Sequence, residues 1–314
     1  TLMPSLIWLQ GATDNGCTIS FLNADQPDVP QILSKLDVQV VFHPTITPLS
    51  GPRALQAMAP YASGEKPLDV LVVEGAVQNG PDGTGAYCLV GQRSLKDLAL
   101  ELAANAAYTV ALGTCACFGG IPAADPNPTD ATGLQFHHDQ RGGLLGPNYR
   151  ARSGLPVINV PGCPAHPDWL SKTLGTVLLG MGDLIELDQY NRPKMFYGTV
   201  SHWGCPRNEF FEYSVASQSF GQNGCLYRFL GCHGPDTHAD CNQRLWNRQS
   251  SKQRVGSPCI GCTEPLFPDA GAGHFFHTAK KMPVPLGAKP LFHILGKGLD
   301  AMAGPEWIKE AGRA

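Results

Sequence analysis

Charge is scarce in this chain. Asp, Glu, Lys and Arg make up 16% of its 314 residues, against a norm of roughly 25%. Acidic and basic residues nearly balance, 26 against 23, for a net charge of −3. No basic run tracks along the sequence, so nucleic acid is not expected as a partner. No apolar stretch approaches the length of a membrane span. No charged segment precedes the apolar residues of Thr1-Leu2-Met3-Pro4, so no signal peptide is visible. The expected compartment is the cytoplasm, with any membrane association made through a partner. Eleven cysteines, an odd number, make a poor disulfide framework in a chain this long. Low charge also leaves little repulsive surface, as expected where a partner covers a large part of one face.

What is abundant is turn-forming residues and potential metal ligands. With 36 glycines and 27 prolines, much of the chain is loop. The first half alternates short apolar runs with helix-like segments. Ser5–Gln10, Val38–Phe42, Asp69–Glu74, Tyr108–Leu112 and Leu155–Val160 read as buried strands. Thr18–Asn23, Ala54–Ala62, Ser94–Ala107 and Pro167–Gly180 read as the helices between them. Such alternation predicts an α/β, doubly wound parallel sheet over residues 1–190. Over residues 191–314 the strand runs disappear. Seven candidate ligands fall between His202 and Cys262, and a structureless stretch of that length needs something other than an apolar core to hold it.

In an open parallel sheet, ligands bind at the edge where the strands end. The segments after the first, third, fourth and fifth strands carry Asp14 and Cys17, Glu74, Cys115, and Cys163. These five residues are predicted to converge. Three thiolates and a carboxylate at one edge are able to hold an iron–sulfur cluster. Cys88 and Cys117 are read as small buried hydrophobes, although Cys117, two residues past Cys115, could compete for the ligand role. Two more sets follow: His202, Cys205, Cys225 and Cys232, which suit a 4Fe–4S cluster, and Cys241, Cys259 and Cys262, which suit a 3Fe–4S cluster. Structural zinc is the rival for each set, and a zinc-stabilised binding module without redox activity is the alternative function.

Taken together the motifs resemble the small subunit of NiFe hydrogenases over nearly the whole chain. The segments that carry the resemblance are Trp8-Leu-Gln-Gly11, Val73-Glu-Gly75, Gly113-Thr-Cys-Ala116, Pro161-Gly-Cys-Pro164, Cys225-Leu-Tyr-Arg228, Gly231-Cys-His-Gly-Pro235 and Pro258-Cys-Ile-Gly-Cys262. The resemblance implies a flavodoxin-like first domain holding a proximal cluster on Asp14, Cys17, Cys115 and Cys163. That cluster is 4Fe–4S, or 3Fe–4S if the iron facing Asp14 is lost. It further implies a distal 4Fe–4S cluster on His202, Cys205, Cys225 and Cys232, and a medial 3Fe–4S cluster on Cys241, Cys259 and Cys262. The implied activity is electron relay from a NiFe centre that cleaves H2, in the direction of H2 uptake. That centre needs two Cys-x-x-Cys motifs, and this chain has one, so the centre belongs to an obligate large subunit. The implied acceptor is a quinone or redox protein, and heterodimers are expected to associate further. Glu74 is implied in proton relay or in shaping the proximal site at the interface.

Two departures from the family pattern stand out. Asp14 occupies the first position of a loop that is usually Cys-x-x-Cys, as in the actinobacterial-type, high-affinity uptake group. The segment from Cys225 to Cys232 is one residue longer than usual. The extra cysteines of oxygen-tolerant membrane-bound relatives are replaced by Gly16 and Gly120.

Overall fold

A strand covered on both faces must be apolar at consecutive positions, and the sheet is built from such runs. The computed structural model describes residues 3–268. In chain order the elements that position the candidate sites are β1 (Ser5–Gln10), α1 (Gly16–Leu22), α2 (Val29–Lys35), β2 (Gln39–Phe42), α3 (Gly51–Ala62), β3 (Leu68–Glu74), α4 (Leu95–Asn105), β4 (Ala106–Leu112), α5 (Gly113–Phe118), β5 (Ile158–Val160) and α6 (Pro167–Leu178). The five strands form one parallel sheet in the order β5-β4-β3-β1-β2. That is the flavodoxin-like order with its switch point between β1 and β3. Helix α3 packs on α4, and α1 on α6.

Side chains of successive strand residues point to opposite faces. Ile7, Leu9, Leu71, Val73 and Ala111 join Met58, Leu98, Leu102 and Phe118 in one apolar core. Between Ile7 and Leu9, Trp8 is fully buried, stacks on Phe21 at 5.9 Å and packs tilted against His43 at 4.6 Å.

His43 is 1% exposed. Its Nδ1 accepts from the Thr45 amide at 3.1 Å, while Nε2 has no hydrogen-bond partner. Burial pushes its pKa down from 6.5 to about 4, partly opposed by the charge of Glu74. The imidazole is therefore neutral in the folded protein where the unfolded chain would bind a proton. Its contribution is fully present above pH 6.5 and is lost as pH falls toward 4. Over that window it should remove about 3 kcal/mol of stability. Denaturant unfolding at several pH values checks this: His43→Gln should flatten the slope, and an unchanged slope would contradict it.

Within the described residues the chain divides into two compact units, residues 3–198 with 262–268, and Thr199–Gly261. Among the described residues the second unit contains short helical turns, among them Asn208–Glu212 and Tyr227–Leu230, and a few isolated strand bridges. Its buried apolar residues are Leu226, Tyr227, Ala239, Pro258 and Cys259, while Ser201, Ser217, Thr237, Asp240, Asn242, Ser251 and Gln253 are buried and polar. Hydrogen bonds tie several of these together: Asn242 Nδ2 donates to Ser201 O at 2.7 Å, Ser251 Oγ to Asn242 Oδ1 at 2.5 Å, and Gln253 Nε2 to Ser201 Oγ at 3.2 Å. So small an apolar core would not by itself offset the entropy of ordering such a segment.

Candidate metal centres

The first centre is assembled by strand register. Gln10 pairs with Glu74, Glu74 with Leu112, and Leu112 with Val160. Four strands thus end level, and the chain leaves each of them on the same edge. Cys17 lies in the first turn of α1, Cys115 in α5 and Cys163 just past β5.

These side chains lie close enough to act on one another, and the Ala165 amide, two residues past Cys163, donates to Cys17 Sγ at 3.4 Å. Glu74, Cys115 and Cys163 each push the Cys17 thiol pKa up, and Asp14 and Glu74 each push that of Cys115 up. Burial is the larger cause at both sites. It pushes the Cys17 thiol far up and that of Cys115 up to about 11, while amide donors at Ala165 and Ile121 pull the other way. Burial favours the protonated thiol at Cys17 and Cys115, so a metal that binds there must displace protons.

Two glycines make room for the candidate ligand sulfurs. Gly113 has φ +79°, and a Cβ there would lie 2.6 Å from Cys17 Sγ; at Gly120, with φ +52°, it would lie 3.0 Å from Cys115 Sγ. Both positions need a residue without a side chain.

Glu74 is the hub of this edge. Its carboxylate is fully buried. Oε2 accepts from Trp8 Nε1 at 3.0 Å, from Gln10 Nε2 at 3.1 Å and from the Thr18 hydroxyl; Oε1 accepts from the Thr18 amide at 3.1 Å and Thr13 Oγ1 at 3.4 Å. The first amides of a helix have no partner within it. Here β3 supplies one through Glu74, and the Asp14 carboxylate supplies another, accepting from Gly16 N at 2.8 Å. Asp14 is exposed. It therefore both caps α1 and places its charge near Cys115.

Cys117 turns away into the core, where its thiol donates to Ala111 O at 3.3 Å. Cys88 is half-buried, and burial pushes its pKa up.

The second centre lies wholly in the second unit. His202, Cys205, Cys225 and Cys232 line one hollow with Arg207, Tyr227 and Gln253. Backbone amides point at the sulfurs: Arg207 N donates to Cys205 Sγ at 3.4 Å, and Cys259 N to Cys232 Sγ at 3.2 Å. Arg207 also clamps the loops around the hollow, donating from Nη1 to Gln222 O at 2.8 Å and Gly224 O at 2.7 Å, and from Nε to Gln253 O at 2.7 Å. Burial lowers the pKa of His202, against a smaller opposing pull from Glu212, so its imidazole is neutral and available as a ligand. Burial raises Cys232 to about 11, with the amides of Gly234 and Cys259 opposing it. Neutral imidazole, converging thiols and amide donors to sulfur are the donor set that an iron–sulfur cluster needs.

The third set divides between the units. Cys241 Sγ lies 3.5 Å from Ser201 Oγ, and Cys259 Sγ 3.5 Å from Thr237 Oγ1, both within the second unit; Cys262 belongs to the first.

The residues motif reading missed are Thr114, Arg207 and Gln253, which are not ligand types themselves. The available signal was position: Thr114 precedes a ligand and Arg207 follows one by two residues.

All eleven cysteines are free thiols. Among the described residues, no three His, Cys, Asp or Glu side chains are spaced to hold a single metal ion, and no helix is long and apolar enough to cross a membrane.

Comparison with known proteins places this arrangement. Residues 15–177 match the family model described as NADH ubiquinone oxidoreductase, 20 Kd subunit. Residues 197–275 match the model for the C-terminal part of the NiFe/NiFeSe hydrogenase small subunit. The F420 non-reducing hydrogenase II small subunit of Methanosarcina mazei is 40% identical over 294 residues, covering 84% of this chain and 73% of that protein. The crystallised [NiFeSe]-hydrogenase of Dm. baculatum superposes with a TM-score of 0.76 at 36% identity, covering 89% of this chain and 100% of that one. The actinobacterial-type NiFe-hydrogenase of Ralstonia eutropha H16 superposes with a TM-score of 0.78 at 28% identity, covering 96% and 91%. Two family models that tile most of the chain, relatives well above 30% identity and the shared α/β sheet agree: the chain belongs to the small subunits of NiFe hydrogenases, one part of a heterodimeric enzyme.

Proposed function

We propose that this chain holds three iron–sulfur clusters and relays electrons between the NiFe centre of its large subunit and an external acceptor, in the direction of H2 uptake. Iron–sulfur clusters accept and release single electrons. The observation that carries the proposal is the hollow lined by His202, Cys205, Cys225 and Cys232, a mixed imidazole–thiolate set with amide donors to its sulfurs. These four would hold the distal cluster; Cys17, Cys115, Cys163 and Asp14 the proximal one; Cys241, Cys259 and Cys262 a 3Fe–4S medial one. Lys252, an amine between Cys241 and Cys259 in the sequence, would have to lose a proton to bind iron, which is costly near neutral pH.

Zinc at these sites is the second reading. One ion draws its thiolates close together, whereas a cluster is wider and stands them further apart. The donors around Glu74 favour its role in shaping the proximal site. Asp14, and the structural likeness to the Ralstonia enzyme, support placement in the actinobacterial-type group. A quinone or redox protein would take the electrons, and heterodimers would associate further. Metal analysis with EPR of the heterodimer under H2 tests the proposal: iron in place of zinc supports it, and zinc in place of iron removes it.

A further inference from the structure

We infer that Thr114 is a positioning residue that fastens three ligand loops together, and that its hydroxyl bridges the proximal set to the backbone of Cys262. The inference rests on the proposed relay for its electron-transfer consequence and on geometry alone for the rest. Thr114 precedes Cys115 in α5 and is 1% exposed. Its amide donates to Gly162 O at 3.1 Å, and Gly162 N donates back to its hydroxyl at 2.9 Å. Gly162 precedes Cys163. The hydroxyl proton is donated to the carbonyl of Cys262.

A hydroxyl has one proton to give and lone pairs to receive. Here both functions are used, on two different loops, from a side chain on the short helix α5. Burial leaves no water to replace either bond, so removing the hydroxyl strands an amide and a carbonyl. The branched Cβ keeps the oxygen in place because such side chains are stiff at χ1.

The same segment is held from its other side. Arg192, 2% exposed, donates from Nη1 to Thr263 O at 3.1 Å and to Glu264 Oε1 at 3.2 Å, and from Nε to Asp188 Oδ2 at 2.7 Å. Its guanidinium lies over the rings of Tyr190 and Tyr197 at 5.2 and 5.6 Å. Cys262 is thus bracketed by Thr114 and Arg192, which explains why residues 262–268 pack as part of the first unit. If Cys115 holds one cluster and Cys262 another, the covalent path through Thr114 crosses to Cys262 at a single hydrogen bond. Electrons tunnel more readily along bonds and hydrogen bonds than across a gap.

The test compares Thr114→Val and Thr114→Ala, which lack the hydroxyl, with Thr114→Ser, which keeps it, in the assembled heterodimer. Hydrogen exchange over residues 159–164 and 260–266 should quicken about tenfold in Val and Ala and stay near wild type in Ser. Freeze-quench EPR after mixing with H2 should show the 3Fe signal disappearing about tenfold more slowly in Val and Ala, with Ser restoring the rate. Unchanged exchange in Val and Ala would overturn the lock, and an unchanged EPR rate would overturn the bridge. A Ser variant as impaired as Val would show that packing, not hydrogen bonding, is the cause, and would also overturn the inference. The exchange comparison needs no metal, so a protein lacking iron would fail the relay proposal while still deciding the role of Thr114.

Discussion

Glu74→Leu should destabilise the first unit by at least about 3 kcal/mol and empty the proximal site. Leucine fills the space but accepts nothing. Trp8 Nε1 and the amide and hydroxyl of Thr18 are buried donors that now end on Glu74, and each would lose its partner. The cost of one stranded buried group is roughly 1–3 kcal/mol. The damage reaches the metal site because Thr18 follows Cys17: without Glu74, nothing from β3 fixes the start of α1. Glu74→Gln keeps one acceptor and the shape, but its amide group faces donors, so an intermediate loss of about 1–2 kcal/mol is expected. Urea unfolding gives the stability, and the proximal EPR signal gives cluster occupancy. A Glu74→Leu protein with wild-type unfolding and a full proximal signal would show that these hydrogen bonds carry no weight.

Asp14→Cys should tighten the hold on the fourth proximal iron at least about tenfold against a chelator, or about 1.4 kcal/mol. A carboxylate is a harder base than a thiolate and suits iron in a sulfide cluster less well. The Asp14 carboxylate accepts from Gly16 N while lying near enough to act on Cys115. Capping and ligation are therefore both within its reach, and the variant separates them. If Asp14 is a ligand, Asp14→Cys changes the proximal EPR signal, its potential and its response to oxygen. If Asp14 only caps α1, those three stay as they were, and the loss is confined to helix stability, about 1 kcal/mol for a cap.

Much of the fold is legible because buried parallel strands announce themselves as apolar runs, and the run Ser5–Gln10 has the bounds of the strand it forms. The fifth strand is shorter than its apolar run, Ile158–Val160 rather than Leu155–Val160, since Pro156 has no amide to give a ladder. Helix α2 escapes a reading by periodicity although its signal is present: Asp28 caps it, its carboxylate accepting from Gln31 N at 2.7 Å, and Pro30 sits in its first turn. Seven residues are too few for a convincing apolar period. Gly113–Phe118, which reads as a ligand loop, is a short helix; its identity comes from the edge it leaves, not from helix-forming residues.

At the sites, residue type is legible and connectivity is not. Cysteine and histidine mark themselves as candidate ligands wherever they cluster. The partners of Glu74 lie 56 to 66 residues away in sequence, and Cys262 O lies 148 from Thr114. No local pattern encodes such pairs, because they exist only once the sheet register has levelled the strand ends.

The most direct test of the central claim is metal and sulfide analysis of the heterodimer with EPR before and after H2. The proposed relay predicts a brown protein with iron and acid-labile sulfide sufficient for three clusters and little zinc. In the oxidised protein a 3Fe signal should be present, and it should change or vanish under H2. A colourless protein with stoichiometric zinc, no sulfide and no signal responsive to H2 would contradict it.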